Sequence, residues 1–280
     1  MADYILPDAS LIDEIERSEI AYMSDRMTAI RARPGNPEGV DIREFGGAVA
    51  YYSETMPWAS FNTVKGLRAG DESLLADIDA FYRERGRRPQ IEIVPGLTDN
   101  GLTRKLGELG YELAGYHTTL YRDLSEPLVS REPALQTVGD RGEITNRVLL
   151  DEEIDLYAAI QCRAFGLPED GIRPVATNNG VLLGRPGWTF WLAAVDGRPA
   201  AAGVLHLRDG IASCTFAATL PEFRGKGLQR LLLKRRLEEA ISGSCRLMVG
   251  QCVFLSQSHR NMERAGMKIG YIRSAWTARS

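Results

Sequence analysis

Between Leu11 and Ile30, apolar residues recur at helical spacing (Leu11, Ile15, Ile20, Met23, Met27, Ile30), which places them on one face of a helix. Pro34 stops the run, because its ring blocks the helical hydrogen-bond pattern. The apolar stretch Ala48 to Tyr52 reads as a strand. The pattern then predicts a helix from Asp71 to Arg85, a strand from Ile91 to Val94, a helix around Leu102 to Leu109 and a strand from Tyr111 to Tyr121. Residues 126–140, with Pro127, Pro133 and Gly139, read as a linker. The expected division is therefore residues 1–125 and residues 141–280.

Past the linker the pattern predicts a strand from Ile144 to Leu149 and a helix from Ile154 to Phe165. Gly166 to Gly187 reads as a long loop with a short helix. Three strands follow closely, Thr189 to Val195, Pro199 to Leu207 and Ile211 to Thr219. They are joined by Asp196-Gly197 and Asp209-Gly210, turn signals that predict an antiparallel meander. A helix from Lys226 to Ile241 aligns Leu233, Leu237 and Ile241 on one face. A strand from Arg246 to Cys252, a helix from Ser258 to Arg264 and a strand from Lys268 to Trp276 complete the order. The halves also match each other: pairing Gly110 with Gly266, an offset of 156 residues, pairs Thr63 with Thr219 and Arg68 with Arg224. Identities are few, so the match rests on the ungapped order of elements.

At 280 residues two domains are expected, and 44% hydrophobic with 25% charged residues is ordinary for a water-soluble globular chain. The first residues lack the basic-then-apolar order of a secretory signal, so a cytoplasmic protein is expected. A net charge of -3 offers no general attraction to nucleic acid. Cys162, Cys214, Cys245 and Cys252 show no metal-ligand spacing and read as reduced thiols. His117, His206 and His259 are far apart, so no metal is expected.

The chemistry concentrates in Arg224-Gly225-Lys226-Gly227-Leu228-Gln229, between the third meander strand and a helix. Gly225 and Gly227 allow backbone to approach a bulky anion, since no Cβ intervenes. The first N–H groups of the helix lack intrahelical partners and carry the positive end of its dipole. Together they make a phosphate cradle. Neither the P-loop spacing G-x-x-x-x-G-K-S/T nor the dinucleotide spacing G-x-G-x-x-G is present.

This stretch resembles the acetyl-CoA signature of the GNAT acetyltransferase superfamily, R/Q-x-x-G-x-G/A, as Arg224-x-x-Gly227-x-Gln229. The element order over Ile144 to Trp276 is similar to the family fold, and Asn261 to Met267 is similar to its closing helix and turn. The resemblance implies an α+β (mixed α/β) fold of two GNAT-like domains, each a twisted, mostly antiparallel sheet flanked by helices, the first domain degenerate. It implies acetyl-CoA as acyl donor, passing its acetyl group directly to a primary amine of a small metabolite or amino-acid-like acceptor. Backbone of Ala217, Ala218 and Thr219 is then expected to hold the pantetheine arm. Gly225, Lys226, Gly227, Leu228, Gln229 and Arg230, with the charge of Arg224, are expected to hold the pyrophosphate. Ser258 is expected near the thiol. Alternative readings are an acceptor amine on a protein or peptide, and a noncatalytic acyl-CoA sensor.

The chain departs from the family pattern at two positions. Gln229 replaces a small residue, adding bulk beside the phosphates. Met262 stands where many members carry a tyrosine that protonates the leaving thiolate, so the acid falls to Ser258, His259 or water. Ser258 and His259 are the catalytic candidates, His259 with the competing reading of a surface residue at the helix start. Glu169 and Asp170 are the nearest acidic candidates for a base, with solvated loop charges as their plainer reading. His206 reads as a core or surface residue.

In the first half, Arg68-Ala69-Gly70-Asp71-Glu72-Ser73 faces the signature. Both signature glycines are lost there, and two carboxylates satisfy the helix start, so this half is expected to bind no CoA. Trp58, Phe61, Tyr51 and Tyr52 are read either as core or as the wall of a substrate pocket shared with the other half.

Overall fold

The structure, a computed structural model, covers residues 7–125 and 142–279. The linker expected at 126–140 lies outside the described residues. In chain order the elements are α1 (Ala9–Arg31), β1 (Asp41–Phe45), β2 (Ala48–Tyr52), β3 (Thr63–Lys65), α2 (Leu74–Arg83), β4 (Gln90–Ile93), α3 (Asn100–Glu108) and β5 (Tyr111–Asp123). They continue with β6 (Ile144–Val148), α4 (Ile154–Phe165), α5 (Ile172–Gly180), β7 (Trp188–Val195), β8 (Arg198–Arg208) and β9 (Ile211–Thr219). The last are α6 (Leu228–Ser242), β10 (Leu247–Val253), α7 (Gln257–Arg264) and β11 (Lys268–Ala278). The fold is mixed α/β with mostly antiparallel strands.

The chain forms two compact units. The first runs through Thr119 and takes in Cys252–Phe254 and the residues from Ile269; the second holds Leu120–Gln251 and Leu255–Lys268. In the first unit the strand order is β1-β2-β3-β4-β11-β5. Its β1–β2 and β2–β3 pairs are antiparallel, and β3–β4 is parallel. The final strand β11 thus builds into the first unit, where Ser274, Ala275 and Trp276 lie opposite Ile93, Glu92 and Ile91 of β4. Reciprocally, the end of β5 from Leu120 belongs to the second unit, where Leu124 N–H donates to Arg246 C=O.

Three local expectations are corrected. Sequence periodicity missed β1, whose Asp41–Phe45 is polar and half-exposed, and β3, which is three residues long and ends in a buried lysine. The helix expected from Asp71 opens as a 3-10 turn, Asp71–Ser73, before α2. On α6, Ile241 is exposed, and the buried face runs through Leu228, Leu232, Leu233, Leu237 and Ala240. The offset of 156 residues holds in position: it carries α2, β4, α3 and β5 onto α6, β10, α7 and β11.

The core of the first unit packs Leu75, Ile78, Phe81 and Tyr82 of α2 with Ala48, Ala50 and Tyr52 of β2 and Ile91 and Ile93 of β4. Each large apolar side chain so buried contributes roughly 1.5–3 kcal/mol. Tyr51 and Tyr52 are core residues; Tyr51 Oη donates to Ile20 C=O at 3.0 Å and lies 2.7 Å from Ser24 Oγ. Trp58 is exposed beside a 3-10 turn, and Phe61 sits under the Arg26 guanidinium, 4.6 Å from its ring centre.

A buried ionic cluster ties α1 to the sheet of this unit. Lys65 Nζ donates to Glu19 at 3.1 Å and to Glu92 at 2.5 Å, while Arg273 of β11 pairs with the same two carboxylates and donates to Thr119 Oγ1 at 3.0 Å. Two cations and two anions therefore balance. Nearby, Glu16 accepts from Tyr271 Oη at 3.0 Å. Burial, and then the Glu19 carboxylate, push the Glu16 carboxyl above its usual range. Burial also works to raise Glu92, but Lys65 and Arg273 outweigh it and hold that carboxyl at about 2.

In the second unit the strand order is β5-β10-β9-β8-β7-β6. The β6–β7, β7–β8 and β8–β9 pairs form the antiparallel meander, and β9–β10 is parallel. Helix α4 packs on one face, with Tyr157 edge-on to Phe190 at 5.0 Å. On α6, Glu239 accepts from Thr189 Oγ1 at 2.5 Å and from Trp191 Nε1 at 2.6 Å, which fixes that helix on the other face.

The pH response of the first unit follows from these carboxyls. Glu92 stabilises fully above the unfolded carboxylate value of roughly 4.3, and its contribution is lost as pH falls towards about 2. Glu16 acts in the opposite sense: its folded form keeps a proton that the unfolded chain releases, so stability drains as pH rises past roughly 4.3. Denaturant titrations should therefore show Glu16→Gln gaining stability over the parent as pH goes from about 5 to about 8. Arg273→Met, which strands two buried carboxylates with one lysine, should cost about 3–5 kcal/mol at neutral pH.

Candidate functional site

Strands β9 and β10 pair in parallel only as far as Cys214 opposite Gly250. Beyond that register β9 runs on through Thr219 and leaves a fork. On the other edge of β9 the ladder with β8 shifts: Ala202 faces Ala218 while Val204 faces Thr215, so β9 carries one extra residue. The bulge centres on Phe216, whose φ of 46° is unusual for a residue with a side chain. Two contacts hold it. The Phe216 ring stacks on Trp188 at 6.4 Å with a 6° tilt, and its carbonyl accepts from Gln161 Nε2 of α4 at 2.6 Å.

After β9 the chain makes a 3-10 turn, Pro221–Phe223, and enters the glycine stretch. Gly225 and Gly227 have φ of 78° and 87°, left-handed conformations that favour glycine, and a Cβ at Gly225 would meet nothing within 4 Å. The first bond of α6 runs from Leu231 N–H to Gly227 C=O at 3.1 Å, so the Leu228 and Gln229 N–H groups precede the ladder. No side chain caps this end.

The fork and the helix start open onto one cavity of about 550 Å³. Ala217, Ala218 and Thr219 line it from β9, and Arg224, Gly225, Gly227, Leu228, Gln229 and Arg230 line it from the turn and α6. Lys226 is half-buried outside the lining. Ser258 lines it from α7, together with Gln257, Asn261 and Arg264. The lining thus carries Arg224, Arg230 and Arg264 and no carboxylate, which makes it cationic. Arg224 Nη2 also donates to Ala164 C=O at 3.0 Å.

Gln229 does not crowd the turn in the way its bulk suggested. Its Nε2 donates to Ala218 C=O at 2.7 Å and to Thr219 Oγ1 at 2.9 Å, so the side chain is drawn against the end of β9. Sequence reasoning missed Phe165, Phe223, Gln257, Asn261 and Arg264 as cavity residues. The α7 residues were legible in principle, since Gln257, Asn261 and Arg264 recur three to four apart on one helix face.

The catalytic candidates separate. Ser258 is exposed and lines the cavity, but it does not open α7: Ser256 is the N-cap, its Oγ accepting from His259 N–H at 3.2 Å. His259 is buried rather than on the surface and does not line the cavity. Its Nδ1 accepts from Leu255 N–H at 3.0 Å, which leaves the ring proton on Nε2, 3.6 Å from Glu263. Met262 is buried against Gly250, where an added Cβ would lie 3.0 Å from its Cε. Glu169 is exposed and bonded to Arg163 at 2.9 Å. That hydrogen bond, and then the guanidinium charge, lower its pKa and make it a weaker base. Asp170 is also an exposed residue of the turn before α5, outside the cavity lining. His206 is a core residue, its ring centre 4.5 Å from that of Trp188. Cys162, Cys214 and Cys245 are buried free thiols, and Cys252 is partly buried.

The matching turn of the first unit is filled by its own side chains. Asp71 accepts from Arg68 N–H at 2.8 Å, and the Arg68 guanidinium pairs with Asp13. Acidic Asp71 and Glu72 occupy the 3-10 turn that precedes α2. Among the described residues no group of three metal-ligating side chains gathers, and no helix is long and apolar enough to cross a membrane.

A forked parallel pair, a bulged strand and an uncapped glycine turn together frame the cavity. Residues 156–267 match the model of the Acetyltransferase (GNAT) family. Residues 156–267 are thus similar to that family. Solved structures similar in fold extend over both halves. A GCN5-related N-acetyltransferase from Kribbella flavida is 17% identical, with a TM-score of 0.64 over 94% of this chain and 95% of that one. One from Sphaerobacter thermophilus is 15% identical, with a TM-score of 0.60 over 97% and 93%. A tandem GNAT protein from the clavulanic acid biosynthesis pathway is 16% identical, with a TM-score of 0.59 over 93% and 94%. No curated protein matches the sequence.

The Ser256 cap is separable from the cavity chemistry. Ser256→Ala should cost roughly 1 kcal/mol in denaturant unfolding, whereas Ser258→Ala, which removes no cap, should leave stability within about 0.5 kcal/mol of the parent.

Proposed function

We propose that the second half binds acetyl-CoA in the cationic cavity and transfers the acetyl group to a primary amine of a small metabolite or amino-acid-like acceptor. The observation that carries this reading is the cavity itself: three arginines without a carboxylate, an uncapped helix start and two left-handed glycines. A diphosphate fits that donor set. In this reading Gly225, Gly227, Leu228, Gln229 and Arg230 hold the pyrophosphate, with charge from Arg224 and Arg264 and long-range attraction from Lys226. The end of β9 beyond its pairing with β10, at Ala217, Ala218 and Thr219, holds the pantetheine arm.

Acetyl-CoA supplies the activated acyl group, and the chain orients it and manages charge and protons. Phe216–Ala217 is a trans peptide, like every described peptide bond, so the Ala217 N–H points opposite to the carbonyl that Gln161 holds. That N–H, on a residue lining the cavity, is placed to polarise a thioester carbonyl. Ser258 Oγ is the hydroxyl that α7 offers to the departing sulfur, while buried His259 shapes the turn before it. Glu169, already bonded to Arg163, is not assigned as base. The first half, with its acidic turn, binds no CoA and serves as the degenerate domain of the pair. We assign the domains as 1–125 and 141–280, with β11 lent to the first.

Calorimetry with CoA tests the reading. The parent should take up one equivalent, and release of free thiol from acetyl-CoA with a panel of amines should follow. Gly225 and Gly70 are matched controls: both have positive φ and open space for a Cβ. Gly225→Leu should weaken CoA binding at least about 100-fold, and Gly70→Leu should leave it within about twofold. No uptake by the parent, or equal losses in the two variants, overturns the assignment.

A further inference from the structure

The Phe216–Ala217 peptide is held from outside the cavity. Gln161 lies on α4, a helix whose other buried residues here are Tyr157, Ala158, Ile160 and Cys162. An amide side chain buried on such a face carries a desolvation cost unless it is bonded. Its Nε2 makes a 2.6 Å bond to the Phe216 carbonyl, 55 residues along the chain. That carbonyl belongs to a residue forced into a left-handed conformation by the one-residue bulge. Such strain persists only where surroundings over-determine it.

The consequence is directional. In a trans peptide the carbonyl and the N–H point in opposite directions, so fixing the oxygen of Phe216 also fixes the hydrogen of Ala217. The stack of Phe216 on Trp188 positions the side chain and makes no bond to the following peptide. The bond from Gln161 holds that peptide. Gln161 itself is not part of the cavity lining.

We propose that Gln161 is a positioning residue for acyl transfer: its side-chain amide locks the Phe216–Ala217 peptide so that the Ala217 N–H stays aimed at the donor's carbonyl oxygen. The inference rests on the acetyl-CoA reading above. It adds a residue that touches neither donor nor acceptor and acts through backbone.

Isotope-edited infrared spectroscopy of bound [1-13C]acetyl-CoA reads the locked N–H without an identified acceptor. The parent should shift the thioester carbonyl band to lower frequency relative to free acetyl-CoA. Gln161→Leu, of similar size but without a donor, should lose at least about half of that shift while CoA affinity stays within about twofold. Gln161→Glu supplies a second arm. Its carboxylate cannot donate to the Phe216 carbonyl, but its protonated form can, so the band shift should return as pH is lowered through the carboxyl's titration.

An unchanged band in Gln161→Leu overturns the proposal. So does a loss of CoA affinity as large as the loss of shift, which would mark Gln161 as a general support of the fold. A variant that fails to fold in the leucine form leaves the pH-dependent glutamate form to decide, and a pH-independent band there also overturns it. Absence of CoA uptake by the parent, measured first, would sink the acetyl-CoA reading instead and is distinguishable from either result.

Discussion

The site depends on one interrupted ladder. Two parallel strands that pair as far as Cys214 and Gly250 and then part leave backbone groups facing a cleft in place of a neighbour. An unpaired strand edge inside a fold is costly unless something replaces the missing partner. Here the bulge at Phe216 diverts β9, and Gln229 reaches back from α6 to the carbonyl of Ala218. The glycine turn then places the positive end of a helix beside the same cleft.

The two units solve the same topological problem with opposite electrostatics. In the second, the cavity at the helix start is lined by arginines and by no carboxylate. In the first, Asp71 accepts from the Arg68 N–H and Asp13 pairs with the Arg68 guanidinium. The parallel pair of the first unit, β3 and β4, directs Lys65 and Glu92 into a buried ionic cluster with Glu19 and Arg273. Charge inside the fold there specifies how α1 and β11 attach, and it leaves little room for an anionic guest.

Much of this was legible in the chain because it is written in local rules. The meander follows from Asp-Gly turns between β-rich runs, and the left-handed turn before α6 from two glycines ahead of a helix. Even the offset between halves, almost without identities, returns as an alignment of four elements. What was not legible depends on tertiary partners. Strand β3 ends in a buried lysine that only Glu19 and Glu92 make tolerable. His259 looked like a surface residue because its partner is a backbone N–H of the turn before it. Gln161 gave no signal at all, since a single amide in an apolar helix acquires meaning only when a strained carbonyl lies opposite.

The exchange of end strands bears on synthesis. Strand β11, which supplies Arg273 to the ionic cluster of the first unit, is translated after the rest of that unit. A nascent first half therefore emerges with Glu19, Glu92 and Lys65 in place but one cation short, and its sheet lacks the strand beside β4. The charge balance of the first unit therefore waits on a segment 254 residues further along the chain than Glu19.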